Sequence, residues 1–182
     1  KILKEKMNFV SVMGGPHPTF NKAVLEEKGI DAICTGEGDT AFEEFVNKVA
    51  NNEEYWLTKS FHVKYKGEIF KNGLAKLVDV LDDLPYPDRE LLYEADPSLA
   101  EVGLKSFIAG RGCPYKCSYC FNKQYNENYK GLGQIIRARS PEKVVREIEG
   151  VLRKYPLNMV NMNDDVFMLK PNGWIKEFSK LY

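Results

Sequence analysis

The chain has 182 residues, 43% of them hydrophobic, and its 26 Lys and Arg balance its 26 Asp and Glu to a formal charge of zero. That length can bury one large core or two small ones. The even charge argues against a strongly basic nucleic-acid-binding face, and no apolar run approaches the roughly 20 residues of a membrane helix.

No secretory signal opens the chain, and four cysteines are too few and too clustered for a secreted disulfide scaffold. A reducing, cytoplasmic setting is expected. The chain starts at Lys1 and ends at "FSKLY" inside a helical pattern, so it reads as a piece of a longer protein, cut at both ends.

Taken in order, "NFVSVMGG" (residues 8–15) is a short apolar run closed by two glycines, which predicts a buried strand and a tight turn. "PTFNKAVLEEKG" (18–29) predicts a helix with a glycine stop, and "IDAICTG" (30–36) the next strand. "DTAFEEFVNKVAN" (39–51) predicts an amphipathic helix with Phe42, Phe45, Val46 and Val49 on one face. Asp39 or Thr40 is expected to cap it, and Thr40 with Glu43 has capping-box spacing. This rhythm implies a parallel sheet. "SFHVKYKGEIFKNG" (60–73) then alternates, as an antiparallel hairpin does, with His62 on its solvated side. The acidic, proline-bearing "LVDVLDDLPYPDRELL" (77–92) suits an extended linker.

After the linker the rhythm restarts. "LKSFIAG" (104–110) predicts a strand. "SPEKVVREIEGVLRKY" (140–155) predicts a helix capped by Ser140, opened by Pro141 and buried through Val144, Val145, Ile148, Val151 and Leu152. "LNMVNMNDD" (157–165) predicts a strand ending in two acids, and "PNGWIKEFSKLY" a further helix. The boundaries expected are 1–76 for a first domain with its hairpin, 77–101 for the linker and 102–182 for a second domain.

Between the strand at 104–110 and the helix at 140–155 lies "GRGCPYKCSYCFN" (110–122), with Cys113, Cys117 and Cys120 inside eight residues. A structural zinc site wants four ligands and a disulfide two. Three thiolates on one loop can ligate three irons of a 4Fe–4S cluster and leave the fourth iron open. Such an iron can bind a small molecule through adjacent amino and carboxylate groups. The competing readings are zinc completed by a ligand from elsewhere, such as Cys34 or a histidine, and reduced cysteines with no role; zinc's usual paired C-x-x-C pattern is absent.

"CPYKCSYC" resembles the CxxxCxxC signature of the radical S-adenosylmethionine (SAM) superfamily, including the aromatic Tyr119 before the last cysteine. "DDLPYPDRELL", "RARSPEKVVREI" and "NMNDDVFMLKPNGW" resemble the branch that carries an N-terminal cobalamin-binding domain. In that light "GGPHPTF" and "DAICTGEGDTAFEEF" look like the last part of the cobalamin domain. The resemblance implies an α/β chain: the C-terminal part of a Rossmann-like cobalamin-binding domain, followed by the first strand–helix units of a (β/α) radical SAM barrel. It implies that Cys113, Cys117 and Cys120 hold the 4Fe–4S cluster and that SAM chelates the open iron. One electron then cleaves SAM to methionine and a 5′-deoxyadenosyl radical, with the protein supplying position and exclusion of water. Tyr119 is placed to shield the cluster.

Asp164 and Asp165 stand where the family often has a GGE-like segment that accepts from the SAM amino group; the carry-over is by position and charge, since the sequence here is "NMNDDVF". The alternative is two solvated acids in a loop. Gly14 and Gly15 would let a backbone approach the nucleotide tail of cobalamin, or form an ordinary strand-to-helix turn. His17 is a turn residue rather than a cobalt ligand, because the DxHxxG loop is absent. Glu37 and Asp39 would line a ligand edge or, for Asp39, cap a helix. Cys34 reads as a small buried hydrophobe. Arg137 and Arg139 would meet either the SAM carboxylate or the helix surface.

The reading is a fragment of a cobalamin-dependent radical SAM enzyme performing methyl transfer or radical rearrangement on an unidentified small molecule, with an external one-electron donor and neither membrane nor nucleic acid as partner. The fragment alone is expected to be inactive and to hold cobalamin weakly. The rival is a non-catalytic module with zinc or an electron-transfer cluster on the same cysteines. A radical RNA-modifying enzyme is disfavoured by the neutral charge and the absence of an RNA-binding domain.

Overall fold

In the computed structural model, which describes residues 2–182, the chain divides into two units. The first comprises residues up to Val78 together with Glu127–Gly133, and the second comprises Asp79–Asn126 and Gln134–Tyr182.

The first unit is built on one four-stranded sheet of order β1-β2-β3-β4. The apolar run before Gly14 and Gly15 forms β1 (Val12–Met13), which pairs in parallel with β2 (Ala32–Cys34). Between them the chain makes α1 (Pro16–Phe20) and a separate 3-10 turn at Lys22–Glu26, not the single helix expected over 18–29. Asn21, at φ −122° and ψ 82°, breaks it. A short helix gains few hydrogen bonds against its nucleation cost, and Asn is a poor residue for bridging the gap.

The helix expected at 39–51 is present as α2 (Asp39–Ala50), but Gly38 is its N-cap and no side-chain cap bond forms; Asp39 sits in the first turn. Its buried residues are Ala41 and Phe45, with Val49 partly buried. Phe42 and Val46, expected in the stripe, remain 47% and 45% exposed because they lie one position round the helix from that row. Phe45 stacks on Phe61 at 4.1 Å between ring centroids, which fastens the helix to the sheet.

The hairpin is as expected: β3 (Phe61–Tyr65) and β4 (Glu68–Lys71) are antiparallel, turning at Lys66-Gly67 with both residues at positive φ. It extends the parallel pair into one mixed sheet, since β3 also pairs antiparallel with β2. His62 is therefore on an inner strand, and the 3-10 turn packs against that strand. The ring is buried, not solvated as the alternation suggested. Burial first, and then the Lys22 and Lys71 charges, hold its pKa below the ordinary value.

Glu127–Gly133 joins this unit through Tyr129, which is fully buried. The Glu37 amide donates to the Tyr129 hydroxyl at 2.7 Å. Gly36, at φ +74°, has no Cβ to obstruct this: one built there would lie 2.0 Å from the hydroxyl oxygen. The Leu77 amide donates to the Leu132 carbonyl at 2.8 Å, holding the far end of the segment.

In the second unit, the stretch expected to be extended carries a 3-10 turn at Leu81–Asp83 and two short helices, α3 (Arg89–Ala95) and α4 (Ser98–Glu101). Leu81 is buried, and the turn straps the start of the next long helix. The Asp82 carboxylate accepts from the Ser140 amide at 2.9 Å, and Lys143 donates to the carbonyls of Asp82 and, at 2.6 Å, Leu84.

The strand expected over 104–110 is split. β5 (Leu104–Phe107) is followed, after two residues, by β6 (Gly110–Arg111). Later come α5 (Asn122–Asn128), β7 (Arg137–Ala138), α6 (Pro141–Lys154), β8 (Met159–Met162) and α7 (Trp174–Leu181). β5 and β8 are parallel, with Leu104 opposite Met159 and Phe107 opposite Met162; β6 and β7 are antiparallel. Ser140 caps α6 by accepting from the Lys143 amide at 3.2 Å. Val144, Val145, Ile148 and Val151 are buried as expected, but Leu152 is 58% exposed. The core of the unit is Phe107, Ala109, Val144, Ile148, Val151 and Trp174.

Two outcomes follow. The chain has two histidines, so NMR can follow the His62 ring directly, and it should titrate below 6.5. The folded state then binds fewer protons than the unfolded one, and stability falls as pH drops below about 6.5 until it passes the folded value. His62→Gln should flatten that acid slope; a His62 pKa at or above 6.5 would contradict the burial described. In urea unfolding followed by Trp56 fluorescence, Tyr129→Phe should cost about 0.5–1.5 kcal/mol for the lost hydrogen bond. Gly36→Ala should cost more, because left-handed strain adds to the clash with the hydroxyl.

Candidate functional site

The three-cysteine loop leaves the C-terminal end of the parallel pair β5 and β8. It runs from Gly112, just after β6, to the start of α5. Cys113 is 8% exposed, Cys120 half-buried and Cys117 exposed. All four cysteines of the chain are free thiols. The Cys120 amide donates to the Cys117 carbonyl at 3.2 Å, a turn that carries the last two cysteines.

Among the described residues, no three Cys, His, Asp or Glu side chains are gathered closely enough to hold a metal ion. The donor set itself fits a cluster: three soft thiols on one loop, with no fourth cysteine near them in sequence. Ligand loops commonly take their final shape from the metal group they wrap.

The loop's base is held by defined contacts. Gly112, at φ +92°, lies so close to the chain after α5 that a Cβ there would be 2.1 Å from the Ile135 carbonyl oxygen. Its amide donates to Asp165 Oδ2 at 3.1 Å. The Asn122 side chain, on a residue only 5% exposed, donates to Asp165 Oδ1 at 3.0 Å. One helical turn on, Asn126 Nδ2 donates to the Cys113 carbonyl at 2.8 Å.

Asp164 has a different set of partners. Its carboxylate accepts from Lys170 Nζ at 2.6 Å and from the Ala109 amide at 3.1 Å, and the ion pair's side chains are 1% and 3% exposed. A carboxylate so enclosed braces the end of β5. Asp165 remains exposed but is committed to the loop's two ends. Tyr119, at 92% exposure, projects from the loop between Cys117 and Cys120.

The two arginines after the loop separate in role. Arg139 donates to Glu147 at 2.5 Å and to the Ile108 and Lys143 carbonyls, which makes it structural. Arg137 is buried in β7 opposite Arg111.

The first unit has its own rim at the C-terminal ends of β1 and β2. Gly14 and Gly15 follow β1, and a Cβ added at Gly15 would meet nothing within 4 Å. Thr19 stitches this turn to the loop after β2. Its hydroxyl donates to the Gly15 carbonyl at 2.7 Å and accepts from the Gly36 amide at 2.9 Å. Sequence reasoning singled out both loops and missed Thr19 and Tyr129, whose partners are 17 and 92 residues distant. His17 is exposed in α1, and Cys34 is buried with its thiol pKa pushed up to about 11 by burial and by the Asp39 charge. A groove of about 420 Å³ lined by Ile148, Leu152, Met159 and Leu181 lies elsewhere in the second unit and contains none of these site residues.

No protein-family model matches the chain. It is 29% identical over 169 residues to an uncharacterized methyltransferase of Pyrococcus horikoshii, an alignment covering 89% of this chain and 34% of that protein. It is 32% identical over 130 residues to the cobalamin-dependent radical SAM methyltransferase TokK of Streptomyces tokunonensis, covering 66% of this chain and 19% of TokK. Among solved structures, the cobalamin-dependent SAM radical enzyme OxsB, with aqua-cobalamin and SAM bound, superposes with a TM-score of 0.73 at 19% identity, covering 99% of this chain and 25% of OxsB. The chain thus spans about a third or less of the length of each of these proteins. The chain is therefore similar in sequence to a cobalamin-dependent radical SAM methyltransferase and shares the fold of the matching part of a cobalamin-dependent SAM radical enzyme.

Proposed function

We propose that Cys113, Cys117 and Cys120 hold three irons of a 4Fe–4S cluster whose fourth iron takes SAM, within a cobalamin-dependent radical SAM enzyme. The observation that carries this reading is the position of the three thiols: one loop, at the C-terminal end of a parallel strand pair, braced from the neighbouring strand by Asp164 and Asp165. Ligand sites of strand–helix barrels gather at that rim. The likeness to TokK supports methyl transfer as the outcome.

When bound, the cluster supplies the electron that breaks a carbon–sulfur bond of SAM, and cobalamin supplies a carrier for a methyl group. The chain's own residues do the positioning. The three thiols must be deprotonated to bind iron, and the loop holds them within eight residues of one another. Tyr119 is the side chain free to cover the cluster from water. Gly14 and Gly15, with open space above Gly15, leave room for the tail of cobalamin to approach the backbone. The substrate is an unidentified small molecule, an external donor provides the electron, and the setting is the reducing cytoplasm. None of the helices described is long and apolar enough to cross a membrane.

Anaerobic reconstitution tests the cysteine assignment. The chain should take up about four iron and four sulfide and show a reducible 4Fe–4S spectrum. Cys113→Ala, Cys117→Ala or Cys120→Ala should each abolish it, while Cys34→Ala leaves it intact, since that buried thiol resists ionisation. An unaltered cluster after Cys117→Ala would sink the proposal, and about one zinc per chain in place of iron would support the non-catalytic alternative.

A further inference from the structure

We propose that Asp165 and Asn122 form a clasp that closes the base of the cysteine loop and sets how its thiols are presented. The step from loop shape to cluster rests on the function proposed above; the clasp itself does not.

The geometry is specific to a carboxylate. Asp165 Oδ2 accepts from the Gly112 amide, immediately before the first cysteine, at 3.1 Å. Asp165 Oδ1 accepts from the Asn122 side chain, two residues after the last cysteine, at 3.0 Å. One group therefore ties together two points ten residues apart in the chain, with all three cysteines between them. Both partners are donors, so the group between them must accept twice. An ionised Asp does so, one donor on each oxygen; an Asn there would turn its own NH2 toward one of them. The bonds are charge-assisted and the stronger for it.

The rest of the loop's base repeats the arrangement. Asn122 and Asn126 are four residues apart on α5 and share a face. Asn122 reaches Asp165, and Asn126 reaches the Cys113 carbonyl at 2.8 Å. Gly112 has no room for a side chain beside the Ile135 carbonyl, so the backbone alone fills this point of the loop's base. Asp164 meanwhile fixes the Ala109 amide through the buried pair with Lys170. The adjacent acids at the end of β8 thus hold the chain at two points, Ala109 and Gly112, as it enters the loop. Asp165, expected from sequence to face a ligand, acts here as a positioning residue.

The polarity of the clasp can be reversed without changing composition. In the double variant Asp165→Asn/Asn122→Asp, the carbonyl oxygen of the introduced amide accepts from Gly112, and its NH2 donates to the introduced carboxylate. The experiment compares the full chain with both single variants and this double variant. In the metal-free proteins it measures hydrogen exchange over residues 109–122 and the rate of Cys113 alkylation by iodoacetamide. It then measures iron and sulfide uptake and the EPR spectrum of the reduced cluster.

Each single variant should speed exchange and alkylation by about tenfold or more, the worth of one hydrogen bond to a charged group. Each should also lower iron uptake, and the double variant should return all of these to within a few-fold of the parent. Singles that leave exchange unchanged, or a double no better than the worse single, would overturn the clasp. If exchange and alkylation follow the expected pattern while no protein, the parent included, takes up iron and sulfide, the clasp stands and the cluster reading falls.

Discussion

Glu147 lies in the middle of α6 with its side chain 5% exposed, and a buried carboxylate there is tolerable only if its charge is met. Two arginines meet it: Arg89 at 2.9 Å, from the start of α3, and Arg139 at 2.5 Å, from the residue after β7. The same guanidiniums also donate to the carbonyls of Ser106, in β5, and Ile108, just beyond it. Arg89 lies over the Phe107 ring at 4.6 Å as well. Three separate stretches of chain are thereby pinned to the strand that delivers the cysteine loop. Removing one partner from a buried ion pair costs roughly 3–5 kcal/mol, because the remaining charges are stranded.

From that anchor the site is assembled by backbone recognition more than by apolar packing. Acids at the end of β8 accept from amides beyond β5, and asparagines on α5 reach a carboxylate and a carbonyl. Hydrogen bonds to charged groups hold a loop without filling the space a ligand needs. Cys117 and Tyr119, at the loop's outer part, accordingly stay open to solvent. The first unit uses the same device on a smaller scale. Thr19 joins the glycine turn after β1 to the loop after β2, and a buried tyrosine hydroxyl accepts the next amide.

Errors of the sequence reading have common physical causes. His62 looked solvated because it alternates with apolar neighbours, yet its strand is an inner one, and a covering turn buries the second face. The segment at 77–92 looked extended because of its prolines and acids. Those acids are spent instead on the Ser140 amide and on the N-cap of α3, where Asp88 accepts from the Leu91 amide at 3.2 Å. The strand at 104–110 read as continuous because its residues are uniformly compatible with a strand, but Gly110 and Arg111 change partner to β7.

By itself the sequence determined the strand–helix rhythm, the hairpin turn at Lys66-Gly67, the capped helix at Ser140 and the placing of three cysteines on one loop. These are local properties: a period of two or of 3.6, a turn needing positive φ, a cap, and donors within one loop. Tertiary structure alone decided that Glu127–Gly133 belongs with the first unit, that Glu147 is shared by two arginines, and that Asp164 is enclosed while Asp165 bridges the loop's ends. Those outcomes depend on partners 53 residues apart for Gly112 and Asp165, and 92 apart for Glu37 and Tyr129. A residue's type says that a buried charge or hydroxyl must find a partner, but only the folded chain decides which partner is within reach.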